Sequence, residues 1–91
     1  MSTSKIRVII INESDQWVAQ GLEYDICVQA NNLEDLYGRF EVAVRLESEE
    51  PGGLERIGPA PRYFEKLWDR KSGEFLPAQA DPERYDFGLA A

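Results

Sequence analysis

Residues 5–12 read Lys-Ile-Arg-Val-Ile-Ile-Ile-Asn, and this stretch decides the fold. Ile6, Val8, Ile9, Ile10 and Ile11 are all β-branched, which makes it the clearest strand of the chain. Alternate side chains of a strand point to opposite faces, so Ile6, Val8 and Ile10 share one face and Ile9 and Ile11 the other. A sheet covered on one side alternates apolar with polar residues. This strand does not, so both of its faces need cover. A helix supplies one cover. The other must come from a second helix, the C-terminal tail or another subunit.

Working outward, Asn12-Glu13-Ser14-Asp15-Gln16 is a polar turn, Trp17–Leu22 a second strand and Ile26–Ala30 a short third. The links are short, which predicts an antiparallel meander. Asn32 is suited to cap a helix, with Glu34 and Asp35 in a first turn where carboxylates favour the helix dipole. Leu33, Leu36, Tyr37, Phe40 and Val44 follow at helical spacing, and Asp35–Arg39 and Glu41–Arg45 are i,i+4 pairs. Gly38 weakens this helix by about 1 kcal/mol relative to alanine, and close approach to the sheet is the expected reason. The helix should fade near Ser48–Glu50, before Pro51.

A second helix is predicted over 61–71, opening on Pro61 and stopping before Gly73. Leu54–Ile57 offers room for a brief fourth strand. Pro77 and Pro82 interrupt the remainder. The sequence therefore predicts one α+β domain over residues 1–72: a three-stranded antiparallel sheet, a long helix on one face and a short C-terminal helix over 61–71. Residues 73–91 are expected to be an acidic, weakly structured tail.

Charge restricts function. The 91 residues carry 10 Lys and Arg against 17 Asp and Glu, a formal charge of −7, with no histidine and one cysteine. Residues 1–50 hold 4 basic and 10 acidic side chains (net −6), 51–72 hold 5 and 3 (net +2), and 73–91 hold 1 and 4 (net −3). Direct DNA binding through phosphate neutralisation is not expected of such a chain. A histidine base, a disulfide within the chain and a cysteine metal cluster are all excluded. Arg62, Lys66, Arg70 and Lys71 make the second helix locally basic, which reads as a solvated face. No apolar run is long enough to span a bilayer, and no apolar leader follows Met1-Ser2-Thr3-Ser4, so a cytoplasmic location is expected.

The strand–strand–strand–helix order, with Asp15-Gln16-Trp17-Val18-Ala19 opening the second strand and Asn31-Asn32-Leu33-Glu34-Asp35-Leu36 opening the helix, resembles the HicB-like antitoxin family. The likeness covers about residues 5–48. Gln16 stands where that family has glycine, and Tyr24-Asp25-Ile26-Cys27 replaces its Pro-Gly pair. The resemblance implies a partial RNase H fold, an oligomer and a role in masking a small, basic, RNA-cleaving toxin. A separate C-terminal DNA-binding element, frequent in the family, is not expected where the tail offers only Arg84 as a base.

A nuclease of RNase H type would need carboxylates converging on metals, one of them on the first strand, and Lys5–Asn12 has none. Asp15, Glu23 and Asp25 read as turn carboxylates rather than metal ligands, and Cys27 as a small core residue rather than a reactive thiol. The chain is thus expected to be no enzyme and to use no cofactor or metal. Ile9, Ile11, Glu34, Glu41, Tyr63 and Trp68 are the candidate partner or oligomer interface. The alternative functions are a self-associating structural module, motivated by Ile9 and Ile11, and a carboxylate-dependent nuclease built on Asp15.

Overall fold

The computed structural model describes residues 5–75, 77 and 80–90. Along the chain lie β1 (Ile6–Glu13), β2 (Gln16–Gly21), β3 (Cys27–Ala30), α1 (Leu33–Ser48), α2 (Gly53–Ile57), α3 (Tyr63–Asp69), β4 (Gly73–Phe75) and β5 (Tyr85–Leu89). The fold is α+β, and the strands form one mixed sheet in the order β3-β2-β1-β5-β4.

The meander is present. β1 and β2 pair antiparallel from Val8↔Gly21 to Glu13↔Gln16, closing on a tight turn, and β2 and β3 pair from Gln20↔Cys27 to Trp17↔Ala30. The sheet is nevertheless larger than the three strands predicted. β5 lies parallel to β1, pairing Ile6↔Tyr85, Val8↔Phe87 and Ile10↔Leu89, and β4 pairs antiparallel with β5 at the sheet edge. The expected weak tail therefore supplies two strands, and the domain runs past residue 72. The reason is side-chain alternation: Tyr85 and Phe87 face the core at 1% and 2% exposure, on the same side as Ile6, Val8 and Ile10.

α1 covers that side. Leu36, Tyr37, Phe40 and Val44 are its buried residues and pack into the same cluster as β1 and β5. Tyr37 meets Phe87 edge-on at 5.8 Å between ring centroids, and Phe40 meets Tyr85 at 6.1 Å. The Asn32 side chain accepts a 2.8 Å hydrogen bond from the Asp35 N–H, which caps the helix at the expected residue. Gly38 does not approach the sheet: it is exposed, and a Cβ built on it would meet nothing within 4 Å. Arg39 turns to the Gln29 carbonyl at 2.7 Å, and Glu41 meets Arg84 at 3.5 Å.

The opposite side of β1 is covered by α3, which packs on β1 and spans Tyr63–Asp69 rather than 61–71. Leu54–Ile57, with room for a strand, belongs instead to the short helix α2. Cys27 is exposed rather than buried. Its neighbours Val28 and Ala30 pair with Ala19 and Trp17 on the α1 side, so alternation turns Cys27 to the other face.

Candidate functional site

The six candidate interface residues do not form one surface. Ile9 is fully buried, so it cannot meet a partner, and the self-association argued from it loses that basis. Ile11, two residues on, is only partly buried. Trp68 is half-buried against the sheet: a Cβ added to Gly88, which pairs with Ile9 in the ladder, would sit 2.9 Å from the Trp68 ring. Tyr63 lies on the same helix but is 61% exposed and meets Phe64 edge-on. Glu34 and Glu41 belong to α1, on the other side of the sheet.

α3 buries none of its own residues completely, yet it seals Ile9. Charge holds it there. Arg7, beside Ile9 on β1, donates from Nε to Glu23 at 2.6 Å and makes a paired contact with Glu65 of α3 at 2.9 and 2.8 Å. These carboxylates, Glu65 foremost, push the Arg7 guanidinium further up. Arg7 and Lys71 flank the Trp68 ring at 5.7 and 4.4 Å from its centroid. Each cation–π contact is worth about 0.5–1 kcal/mol where solvent is near. One of the four basic residues anticipated for this helix, Lys71, thus packs within the domain, just past the end of α3.

Glu41 also works inside the domain. Its carboxylate is 16% exposed, accepts from the Tyr37 hydroxyl at 3.3 Å and faces Arg84. Neighbouring Tyr85 is buried, and among the described residues its hydroxyl has no hydrogen-bond partner. Burial, reinforced by Glu41, pushes the Tyr85 phenol well above its usual range, and Tyr37 moves the same way for the same reasons.

The carboxylates weighed for metal chemistry are dispersed. Asp15 is exposed in the β1–β2 turn, Glu23 binds Arg7, and Asp25 accepts from the Gln20 amide at 2.9 Å. Among the described residues no three His, Cys, Asp or Glu side chains gather to hold a metal ion. Partial burial of the Cys27 thiol, with Asp25 and Glu13 near it, pushes it up, away from the reactive thiolate. A cleft of about 430 Å³ lies where β1 begins, between Tyr24, Leu54 and Arg84, and its charges are mixed.

The outer face of α1 is different. Val42 and Leu46 are 48% and 59% exposed, one turn apart, with Gly38 one turn before them. Glu34, Asp35, Gly38, Arg39 and Val42 line a shallow hollow of about 760 Å³. Glu47, Glu49 and Glu50 stand exposed at the far end. Helical spacing carried a signal for this stripe, because Val42 and Leu46 fall off the face shared by Leu36, Phe40 and Val44. Glu34 is the one residue of the six predicted that lies on it.

Among the described residues no helix is long and apolar enough to cross a membrane. No family model matches the chain, and no curated protein and no solved structure matches it.

Proposed function

We propose that this chain is a non-enzymatic interaction protein of HicB-like type that masks a small, basic, RNA-cleaving protein. One observation carries the reading: the β-β-β-α unit presents an outer helix face with Val42 and Leu46 exposed at its centre, Arg39 and Arg45 beside them, and carboxylates at both ends. Glu34 and Asp35 stand at its start and Glu47, Glu49 and Glu50 at its end, all exposed. The net −6 of residues 1–50 reinforces that field. A basic RNA-binding surface is drawn to such a field, and Val42 and Leu46 give the contact a dry centre.

The test is capture of tagged chain from its native cell at native expression, followed by mass spectrometry. A small basic protein at equal stoichiometry is the expected result. Its capture should weaken as salt rises and vanish in a Glu34→Lys, Asp35→Lys, Glu49→Lys variant. A monodisperse chain with no companion sinks the proposal.

A further inference from the structure

β3 is an edge strand of the sheet, and its outer rim is open. The Gly21 N–H donates to the Ile26 carbonyl at 2.9 Å, which fixes the alternation along the register. Val28 and Ala30 turn their backbone groups to β2, and Cys27 and Gln29 turn theirs outward. Arg39 takes the Gln29 carbonyl at 2.7 Å. Among the described residues the Cys27 N–H and carbonyl and the Gln29 N–H have no partner. Sheet edges are commonly blunted by proline, lysine, a bulge or a covering element. β3 reads Cys-Val-Gln-Ala and carries none of the first three, and among the described residues the Arg39 side chain alone bonds to its rim.

Charge says what fits this rim. Asp25 and Glu13 lie near Cys27, and Glu34 and Asp35 follow β3 at the start of α1. All four carboxylates are exposed, and among the described residues none of them is in an ion pair. Arg39 is the one cation that touches the edge. It also lines the hollow shared by Glu34, Asp35, Gly38 and Val42, so the hollow opens beside the edge. We propose that the rim of β3 accepts an extended, basic segment of the partner protein as a sixth strand of the sheet, its Lys and Arg side chains set against Glu13, Asp25, Glu34 and Asp35.

The outward N–H groups of Cys27 and Gln29 are two residues apart, about 7 Å, which is the carbonyl spacing of an added strand. Main-chain bonds hold the segment, and charge chooses it. Arg39 lets go of the Gln29 carbonyl as the segment docks, and until then it keeps the edge covered. The hollow has room for a small side chain of the segment, because a Cβ at Gly38 would meet no atom within 4 Å. A second copy of this chain is a poor occupant. Pairing β3 with β3 would bring together four unpaired carboxylates from each copy against one Arg39 from each. That the segment belongs to a masked partner rests on the function proposed above; the open rim does not.

Nuclear magnetic resonance on the full isotope-labelled chain tests it, with a blocked octapeptide of alternating lysine and valine as the probe. At saturation the Cys27 and Gln29 amides should slow about tenfold in hydrogen exchange, while Val28 and Ala30, already paired to β2, should change least. Gln29→Pro removes an outward N–H without touching the β2 ladder and should weaken the peptide about tenfold. Gln29→Ala keeps that N–H and should bind as wild type does. Arg39→Ala should bind more tightly, because the Gln29 carbonyl is then free. The same peptide methylated at its backbone nitrogens should not bind, a result that does not depend on how any variant folds. Amides that exchange unchanged under excess peptide, a glutamate–valine octapeptide that binds equally well, or a methylated peptide that still binds overturns the proposal. Amides already protected in the chain alone at about 1 mM give the rim to a second copy and overturn it too. The basic partner captured from the native cell should protect the same two amides. A partner that is masked while both amides exchange freely overturns strand addition and keeps the masking function; a chain with no companion sinks the masking function and leaves the peptide result to decide the rim.

Discussion

Replacing Trp68 by alanine should unlock α3 from the sheet. An aromatic side chain buries about 150–250 Å² when it packs, and half-buried Trp68 belongs at the low end of that range. At about 25 cal/mol per Å², 150 Å² corresponds to nearly 4 kcal/mol. The helix can settle onto the vacated space beside Gly88, which returns part of that loss. The cation contacts from Arg7 and Lys71 disappear with the ring and add about 0.5 kcal/mol each. The expected destabilisation is about 3 kcal/mol, a third to a half of what a domain of this size commonly possesses. Urea denaturation followed by far-UV circular dichroism gives the free energy, and Trp17 remains as a fluorescence reporter. Heating should show a fall in Tm of about 12–24 °C. Tyr63→Ala, five residues away on the same helix but 61% exposed, should cost less than about 0.5 kcal/mol. A Trp68→Ala loss below about 1 kcal/mol, or a Tyr63→Ala loss as large, would refute the view that α3 is clamped through its tryptophan.

Tyr85 gives a pH test. Its phenol is raised in the folded state, so folding favours the protonated form, and that contribution is present below the ordinary tyrosine value of 10 and lost as pH climbs above it. Tyr85→Phe should change stability little at pH 7, since among the described residues the buried hydroxyl has no hydrogen-bond partner, and should flatten the decline above pH 10. Tyr37 keeps part of the slope. Urea midpoints from pH 7 to 11 decide, and an unchanged alkaline slope contradicts the assignment. Truncation after Ser72 should abolish folding, because it removes β4, β5 and the buried Tyr85 and Phe87; a cooperative urea transition in the shortened chain would show that the core closes without them.

The first half of the fold was legible because its signals are local. Five β-branched residues within 5–12, a polar turn and the Asn32 cap each act within a few residues, and all three are found where the pattern put them. The demand for cover on both faces of β1 was also correct, and α3 answers it. β5 was missed because its pairing is not local. It spans five residues, carries Gly88 as its fourth and follows two prolines, so short-range patterns read it as a broken tail. Its alternation of Tyr85, Phe87 and Leu89 becomes meaningful only once β1 offers a free edge for a parallel partner.

The interface residues were less legible for a related reason. Period-2 alternation placed Ile9 on the second face, but nothing in the sequence said that the Arg7–Glu65 pair would hold α3 over it. Glu41 reads from the sequence as an interface carboxylate beside Arg45, although Arg84, which faces it, comes from the far end of the chain. The exposed stripe of Val42 and Leu46 was readable by helical spacing alone, once the opposite face is assigned to the sheet.

The central claim is that this chain masks a basic, RNA-cleaving partner, and RNA cleavage by the partner captured from the native cell tests it most directly. The freed partner should cleave RNA, and the purified chain should stop it as the ratio reaches one to one. The Glu34→Lys, Asp35→Lys, Glu49→Lys variant should leave cleavage running. A captured partner with no action on RNA, or cleavage that continues at full rate under excess chain, would contradict the account.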